Sequence, residues 1–390
     1  MTKLWFSALL SLAIGAGCHR VSDADGSGGG DADSDSDTDS DTDSDSDTDS
    51  DSDADEYPAN GVDLLLVVDN SGSMKDEQEL LVQHVFELVG ELAAEVDAVR
   101  VAVVSTDMGL QWGGNPYEAG DGWPGDTPPG CGSVGDNGEF ETYGDGKTIT
   151  LDDEVYACPS LPASWVETPL GDPPEDNPDA AGQAACLSYL GTNGCGWEQQ
   201  LQAMAVGVNK PSQASFHHEH HLLAAIVVSD EDDCSIESNA LFAVDEVQNL
   251  ADGKINVACG NHPQYLYPAA DFVDALTAPK GGNPNAVLFA AIVGVPPGEA
   301  CEGRGIDILT CIDHADMQLV QVQENDAYFF RPACERWEGS TQVTKARPGR
   351  RFVELAMEHQ HNGYVFSICN ADWTAAMDGI AQMIQDELDD

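Results

Sequence analysis

The chain predicts an α/β protein built on a doubly wound, mostly parallel sheet, and three observations carry that expectation. Runs at 62–69 (VDLLLVVD), 99–106 (VRVAVVST), 222–229 (LLAAIVVS) and 285–295 (NAVLFAAIVGV) are almost continuously apolar and β-branched, as strands covered on both faces are. Segments with helical periodicity lie between them, the alternation that a parallel sheet with crossover helices requires. The first and third runs each lead into an acid, Asp69 and Asp230. Both acids therefore belong at the carboxyl edge of the sheet, where doubly wound folds place their ligands.

The elements follow in order. Residues 62–69 form the first strand, and 74–96 an amphipathic helix with Leu80, Leu81, Val85, Leu88, Val89 and Leu92 on one side. The second strand is 99–106, a second helix covers 197–208, and the third and fourth strands are 222–229 and 285–295. A helix over 351–361, a strand over 363–368 and a helix over 373–388 close the chain. Two segments, 109–189 and 296–350, are too long for plain loops. Both are rich in Gly, Pro and Asp and carry cysteines, so they read as cross-linked insertions. The first is expected to roof the carboxyl edge, with Trp112, Trp123 and Trp165 as contact residues or as core.

The sequence from 69 to 73, DNSGS, sets Asp69, Ser71 and Ser73 where the first strand passes into its helix. One carboxylate and two hydroxyls make a hard, oxygen-lined pocket that suits Mg²⁺ better than a soft metal. Asp and Ser are also ordinary helix N-cap residues, which is the plain alternative. In this setting the motif closely resembles the metal-ion-dependent adhesion site of von Willebrand factor type A domains, and the resemblance covers 61–390. It implies Mg²⁺, with Mn²⁺ or Ca²⁺ as substitutes, held by Asp69, Ser71, Ser73 and Asp230, with an open position for a partner's acidic side chain. The family adds a Thr from the loop before its next helix. Thr192 in LGTNGCGWEQQ has the local letters, whereas Cys195 lies nearer the family's spacing, so either Thr192 or a water or backbone group in its place completes the set.

Asp107, at the end of the second strand, is a further ligand, a residue behind the ligands or a turn former. Asp232 and Asp233 in the acidic loop DEDDCS are candidates for a second cation, for a general base of raised pKa, or for a solvated loop. The run HHEHH, 217–221, precedes the third strand and so belongs at the opposite end of the sheet, as an exposed polar loop more readily than a zinc or nickel site. It lacks the HExxH spacing of zinc proteases.

The N-terminus reads as an export signal: Lys3, an apolar stretch over 4–14, then Gly15, Ala16 and Gly17 before Cys18. That stretch is too short to span a bilayer. Cys18 is the expected lipidation site, although Gly15 departs from the usual Leu of lipoprotein signals, and His19 after it resembles outer-membrane sorting in Gram-negative bacteria. Removing Cys18 from eleven cysteines leaves ten, an even set that reads as up to five disulfides of open connectivity. Residues 19–60 form a linker whose 22–56 stretch has fifteen Asp and one Glu, a composition that buries nothing and cannot fold alone. Taking those sixteen acids from the net charge of −55 leaves the rest at about −39, which excludes nucleic acid as a partner.

These features together predict a surface-anchored lipoprotein of the outer membrane that binds a protein through a divalent cation, in adhesion or scaffolding, and is not an enzyme. The alternative is an exported metal-dependent hydrolase of peptide or glycan. No Ser-His-Asp or Cys-His arrangement stands out in the sequence to support it.

Overall fold

A computed structural model describes residues 60–118, 121–124, 131–161, 163–169 and 178–389. The signal segment, Cys18 and nearly all of the linker lie outside the described residues. The central sheet has seven strands, in the order β5 (Val166–Pro169), β2 (Ala98–Ser105), β1 (Gly61–Val68), β6 (His221–Ser229), β7 (Val287–Val293), β13 (Gly363–Ser367) and β8 (Gly303–Arg304). Its parallel centre is β1 (Gly61–Val68), β2 (Ala98–Ser105), β6 (His221–Ser229), β7 (Val287–Val293) and β13 (Gly363–Ser367). β1 runs to β2 on one side, and β6, β7 and β13 then build outward on the other, so the winding reverses between β1 and β6.

All eight residues of β1 are buried. Because successive side chains of a strand face opposite ways, Val62, Leu64, Leu66 and Val68 enter one core and Leu65 and Val67 the other. The first core lies beneath α1 (Lys75–Glu95), α2 (Pro178–Ser188) and α8 (Thr374–Asp389). The second lies beneath α3 (Gln200–Asn209), α6 (Asp271–Thr277) and α7 (Arg350–Glu358). On α1, Leu81, Val85, Leu88, Val89 and Leu92 are buried and Leu80 half-buried, as the period-3.6 stripe requires.

The insertions are more than decoration. The segment 109–189 contributes a hairpin, β3 (Thr148–Leu151) with β4 (Glu154–Ala157), and also the antiparallel edge strand β5 (Val166–Pro169) and helix α2. The segment 296–350 supplies the opposite antiparallel edge, β8 (Gly303–Arg304), and the hairpins β9–β10 (Gln321–Glu324, Ala327–Phe330) and β11–β12 (Cys334–Glu338, Thr341–Ala346). Short helices α4 (Asp245–Gln248) and α5 (Ala258–Asn261) lie in the β6–β7 connection. The ten cysteines pair as Cys131–Cys195, Cys158–Cys186, Cys234–Cys259, Cys301–Cys311 and Cys334–Cys369. No helix of the described residues is long and apolar enough to cross a membrane.

Two helix boundaries differ from expectation. The helix expected from 197 begins at Gln200, which leaves 197–199 in a loop. The helix expected over 351–361 ends at Glu358, and Gln360 turns back with φ 54° into a short 3₁₀ turn.

Candidate functional site at the carboxyl edge of the sheet

Asp69 follows β1 directly and is fully buried. Its Oδ1 accepts the N–H of Ser71 at 2.8 Å, the local turn that Asp favours. Its Oδ2 accepts the hydroxyl of Ser229, the last residue of β6, at 2.6 Å. Ser71 Oγ and Ser73 Oγ lie 3.4 Å apart. Across the switch point, Asp230 is buried with Oδ1 unpartnered among protein atoms, and Gln200 Oε1 is likewise unpartnered. Gln200 reaches the cluster through its other end, Nε2 donating to Ser229 Oγ at 2.8 Å.

A cavity of about 210 Å³ opens beside these groups, lined by Ser71, Ser73, Trp197, Glu198, Glu231 and Asp232 among others. Glu198, in the loop just before α3, was missed by the sequence reading. It falls inside the stretch 197–208 that reads as helix, where an acid carries no signal of its own. Thr192 does not line the cavity, and Cys195 is locked to Cys131. The roof also differs from expectation. Ile255, Asn256 and Cys259 line the cavity, from the β6–β7 connection fastened by Cys234–Cys259, whereas no described residue of 109–189 does. Trp123 packs edge-on against Trp197 and Phe242, and Trp165 against Phe216 in the second core, so both tryptophans serve packing.

Electrostatically the site is a buried cluster of acids, opposed at Glu231 by the charges of Arg347 and Lys345. Burial, followed by the charges of Asp69 and Glu231, lifts the Asp230 carboxyl well above the carboxylate range, and the Ser73 hydroxyl opposes that rise. Burial lifts Glu198 well above its ordinary value too, with Asp69, Glu231 and Asp230 adding to it. Asp69 is raised by burial against the pull of Ser229 and Ser71. Glu231 is raised to about 7, again mainly by burial, with Arg347 working against it. Glu77, buried on the first turn of α1, is raised by burial and leaves Oε2 unpartnered.

The remaining acids do structural work. Asp107 accepts the N–H of Gly109 at 2.8 Å and of Cys195 at 3.2 Å, so it forms a turn and pins the loop before α3. Asp233 accepts from Leu201 N and Ser235 Oγ through Oδ1 and from Ser235 N and Arg351 Nε through Oδ2, leaving it occupied as a helix cap. Asp232 accepts the N–H groups of Asp233 and Arg351 and lines the cavity, with burial raising it to about 7. At the opposite end of the sheet the histidine run is only partly an exposed loop. Glu219 and His220 are exposed, whereas His221 is buried against Asp63 at 2.9 Å.

Asp69, Ser71, Ser73 and Asp230 offer the oxygen donors that a hard divalent cation takes, and unpartnered Asp230 Oδ1 lacks the hydrogen bond that a buried carboxylate needs. The set holds two carboxylates, and among the described residues no group of three or more His, Cys, Asp or Glu could hold a metal ion.

A strand order reversing between β1 and β6, with the Asp-x-Ser-x-Ser turn at that reversal, defines a doubly wound, mostly parallel α/β architecture with the turn at its switch point. No protein-family model and no curated protein matches the chain. Among solved structures, it is similar to a von Willebrand factor type A protein from Catenulispora acidiphila at 12% identity and TM-score 0.31, over 85% of this chain and 43% of that one. It is also similar to the pilus adhesin RrgA from Streptococcus pneumoniae at 11% identity and TM-score 0.21, over 83% and 41%. The chain thus spans less than half the length of either.

Proposed function

We propose that this protein is a divalent-cation-dependent binding domain serving adhesion or scaffolding, carried on the acidic linker from a lipidated Cys18 at the outer membrane. The observation that carries the reading is the convergence of Asp69, Ser71, Ser73 and Asp230 at the switch point, with Asp230 Oδ1 buried and unpartnered. A cation there would supply the positive charge that the cluster lacks and an electrophilic centre for a partner's carboxylate. Mg²⁺ is the first expectation, with Mn²⁺ or Ca²⁺ as substitutes. Ser229 and the Ser71 amide hold the Asp69 carboxylate in a fixed orientation, and the strongly anionic surface makes a cation necessary for any acidic partner to approach.

The test is capture of envelope proteins by the full chain with Mg²⁺ and with EDTA, alongside Asp69→Ala. Capture that requires Mg²⁺ and is lost in Asp69→Ala supports the reading. Capture indifferent to both overturns it, and metal-dependent turnover of peptide or glycan substrates would replace it with an exported hydrolase.

A further inference from the structure

We propose that a second pocket, next to the cavity at the Asp69 turn, takes the C-terminal residue of a protein partner, with its apolar side chain on the pocket floor and its α-carboxylate on Arg350. The proposal is independent of the cation reading above.

The pocket encloses about 310 Å³ and is lined by α7, by the β6–β7 connection and by Leu319 and Phe330. Glu231, Asp232, Asn256 and Cys259 line both this pocket and the smaller cavity, so the two adjoin. Its apolar lining is Pro263, Leu266, Leu319, Phe330 and Pro348. Leu266 and Phe330 are buried, and the Phe330 ring lies so close over Gly260 that a Cβ there would meet it at 2.4 Å. The floor is therefore packed in place before any ligand arrives. Its volume is at the small end of ligand pockets, which suits one large residue better than a long segment.

Charge selects what enters. The chain carries 15 Lys and Arg against 70 acids, yet Lys345, Arg347, Arg350 and Arg351 fall within 345–351, and the three arginines line this pocket. Arg347 is paired with Glu324 at 3.2 Å and Arg351 with Asp233 at 2.8 Å. Arg350 differs. Its Nη1 donates to the carbonyls of Ile312 at 3.1 Å and Met317 at 2.8 Å, and among the described residues it forms no ion pair. Those bonds hold the guanidinium in place and leave its charge uncancelled. Arg350 is also the first residue of α7, whose first turn has no acid, so the helix dipole adds to the positive potential there.

The acids of the lining are engaged with other groups. Asp233 is bonded to Arg351, Asp232 accepts the N–H groups of Asp233 and Arg351, and Glu231 is opposed by Arg347 and Lys345. Glu354, one turn further along α7, is exposed to solvent.

Chain geometry separates two kinds of carboxylate. In an extended segment neighbouring side chains point to opposite sides, so an Asp or Glu next to a seated apolar residue turns away from the pocket. The α-carboxylate of a chain end shares its Cα with the side chain and enters with it. An apolar floor beside one unpaired guanidinium therefore fits a C-terminal aromatic or large aliphatic residue. The net charge of −55 works against every anion, so a preference for a free carboxylate over its amide would come from this wall alone.

The probe is a fluorescently labelled peptide of Gly and Ser ending in Phe, titrated with the full-length chain and read by anisotropy in Mg²⁺ and in EDTA. The free acid is expected to bind about tenfold or more tighter than the same peptide amidated, or than one ending in Ser, and equally in both buffers. Arg350→Gln should erase the preference for acid over amide, and Leu319→Asp should weaken binding of the acid. Equal binding of acid and amide by the wild type, or no binding of the acid up to about 1 mM, overturns the proposal without recourse to any variant. A preference retained in Arg350→Gln overturns the role of Arg350. Binding that requires Mg²⁺ also overturns it, because the carboxylate then belongs to the Asp69 turn, whereas Mg²⁺-independent binding leaves the cation reading to its own test.

Discussion

Gln78 donates its Nε2–H to the carbonyl oxygen of Asp69 at 2.7 Å from the first turns of α1, and both residues are fully buried. The same amide donates to the Gly191 carbonyl at 3.0 Å, and its Oε1 accepts the N–H groups of Leu190 and Gly191, both at 2.9 Å. One side chain thus joins the Asp69 turn to the loop that follows α2.

Gln78→Leu keeps the volume and removes all four bonds. The exposed cost is two N–H groups and two carbonyls left unsatisfied, of which solvent can recover part at half-buried Leu190 and Gly191. The expected loss is about 3 kcal/mol in urea unfolding, with weakened cation response because Asp69 loses its anchor. A loss under about 0.5 kcal/mol would show that the amide is not what holds the turn.

What the sequence disclosed divides along physical lines. The central strands were legible because each is apolar on both faces, and the Asp69 turn because its letters lie at a strand end. β5 was not legible: only Val166 and Thr168 of its four residues are buried, an edge strand amid Gly and Pro. Glu198 was obscured because the helical period of the sequence runs back over 197–199, residues that the structure leaves in a loop. Asp233 looked like a spare acid, since its partners Leu201, Ser235 and Arg351 are distant or local in ways that letters do not show. Asp63, an acid inside an apolar strand, had a legible signal, yet its counter-charge Lys280 lies 217 residues away.

That pair gives a second prediction, at the end of the sheet opposite the acid cluster. Asp63 is fully buried, with Lys280 Nζ at 3.0 Å, His221 Nδ1 at 2.9 Å and the His218 N–H at 2.8 Å. Burial raises its pKa, but His221 and Lys280 outweigh that and leave it below the ordinary value. Lys280→Met leaves a buried carboxylate with one charged partner fewer, and should cost about 3–5 kcal/mol in denaturant unfolding. Lys280→Met with Asp63→Leu should recover much of that loss. The stabilisation by Mg²⁺ should be unchanged in the double variant, and a changed Mg²⁺ response would show that the two ends of the sheet are coupled.

The acid cluster makes the pH dependence of the cation-free protein specific. Asp69, Asp230, Glu198 and Glu231 all have folded values raised mainly by burial, Glu231 to about 7. Such groups cost nothing while protonated in both states. As pH rises past the unfolded values, 3.8 for Asp and 4.5 for Glu, the unfolded chain releases protons first, and folded stability falls until the folded values are passed. Buried His359, pushed down to about 4 by burial, works in the opposite sense, losing stability as pH falls from 6.5. The difference between wild type and Asp230→Asn therefore isolates the cluster, since His359 is common to both. Without divalent cations, Asp230→Asn should melt higher than wild type at about pH 8, with the gap closing toward about pH 4. Added Mg²⁺ should reverse the order at about pH 8 by raising wild type far more than the variant, because only wild type retains the carboxylate. Melting curves that stay parallel across this range, or an equal Mg²⁺ shift in both proteins, would show that Asp230 is neither a strained acid nor a cation ligand.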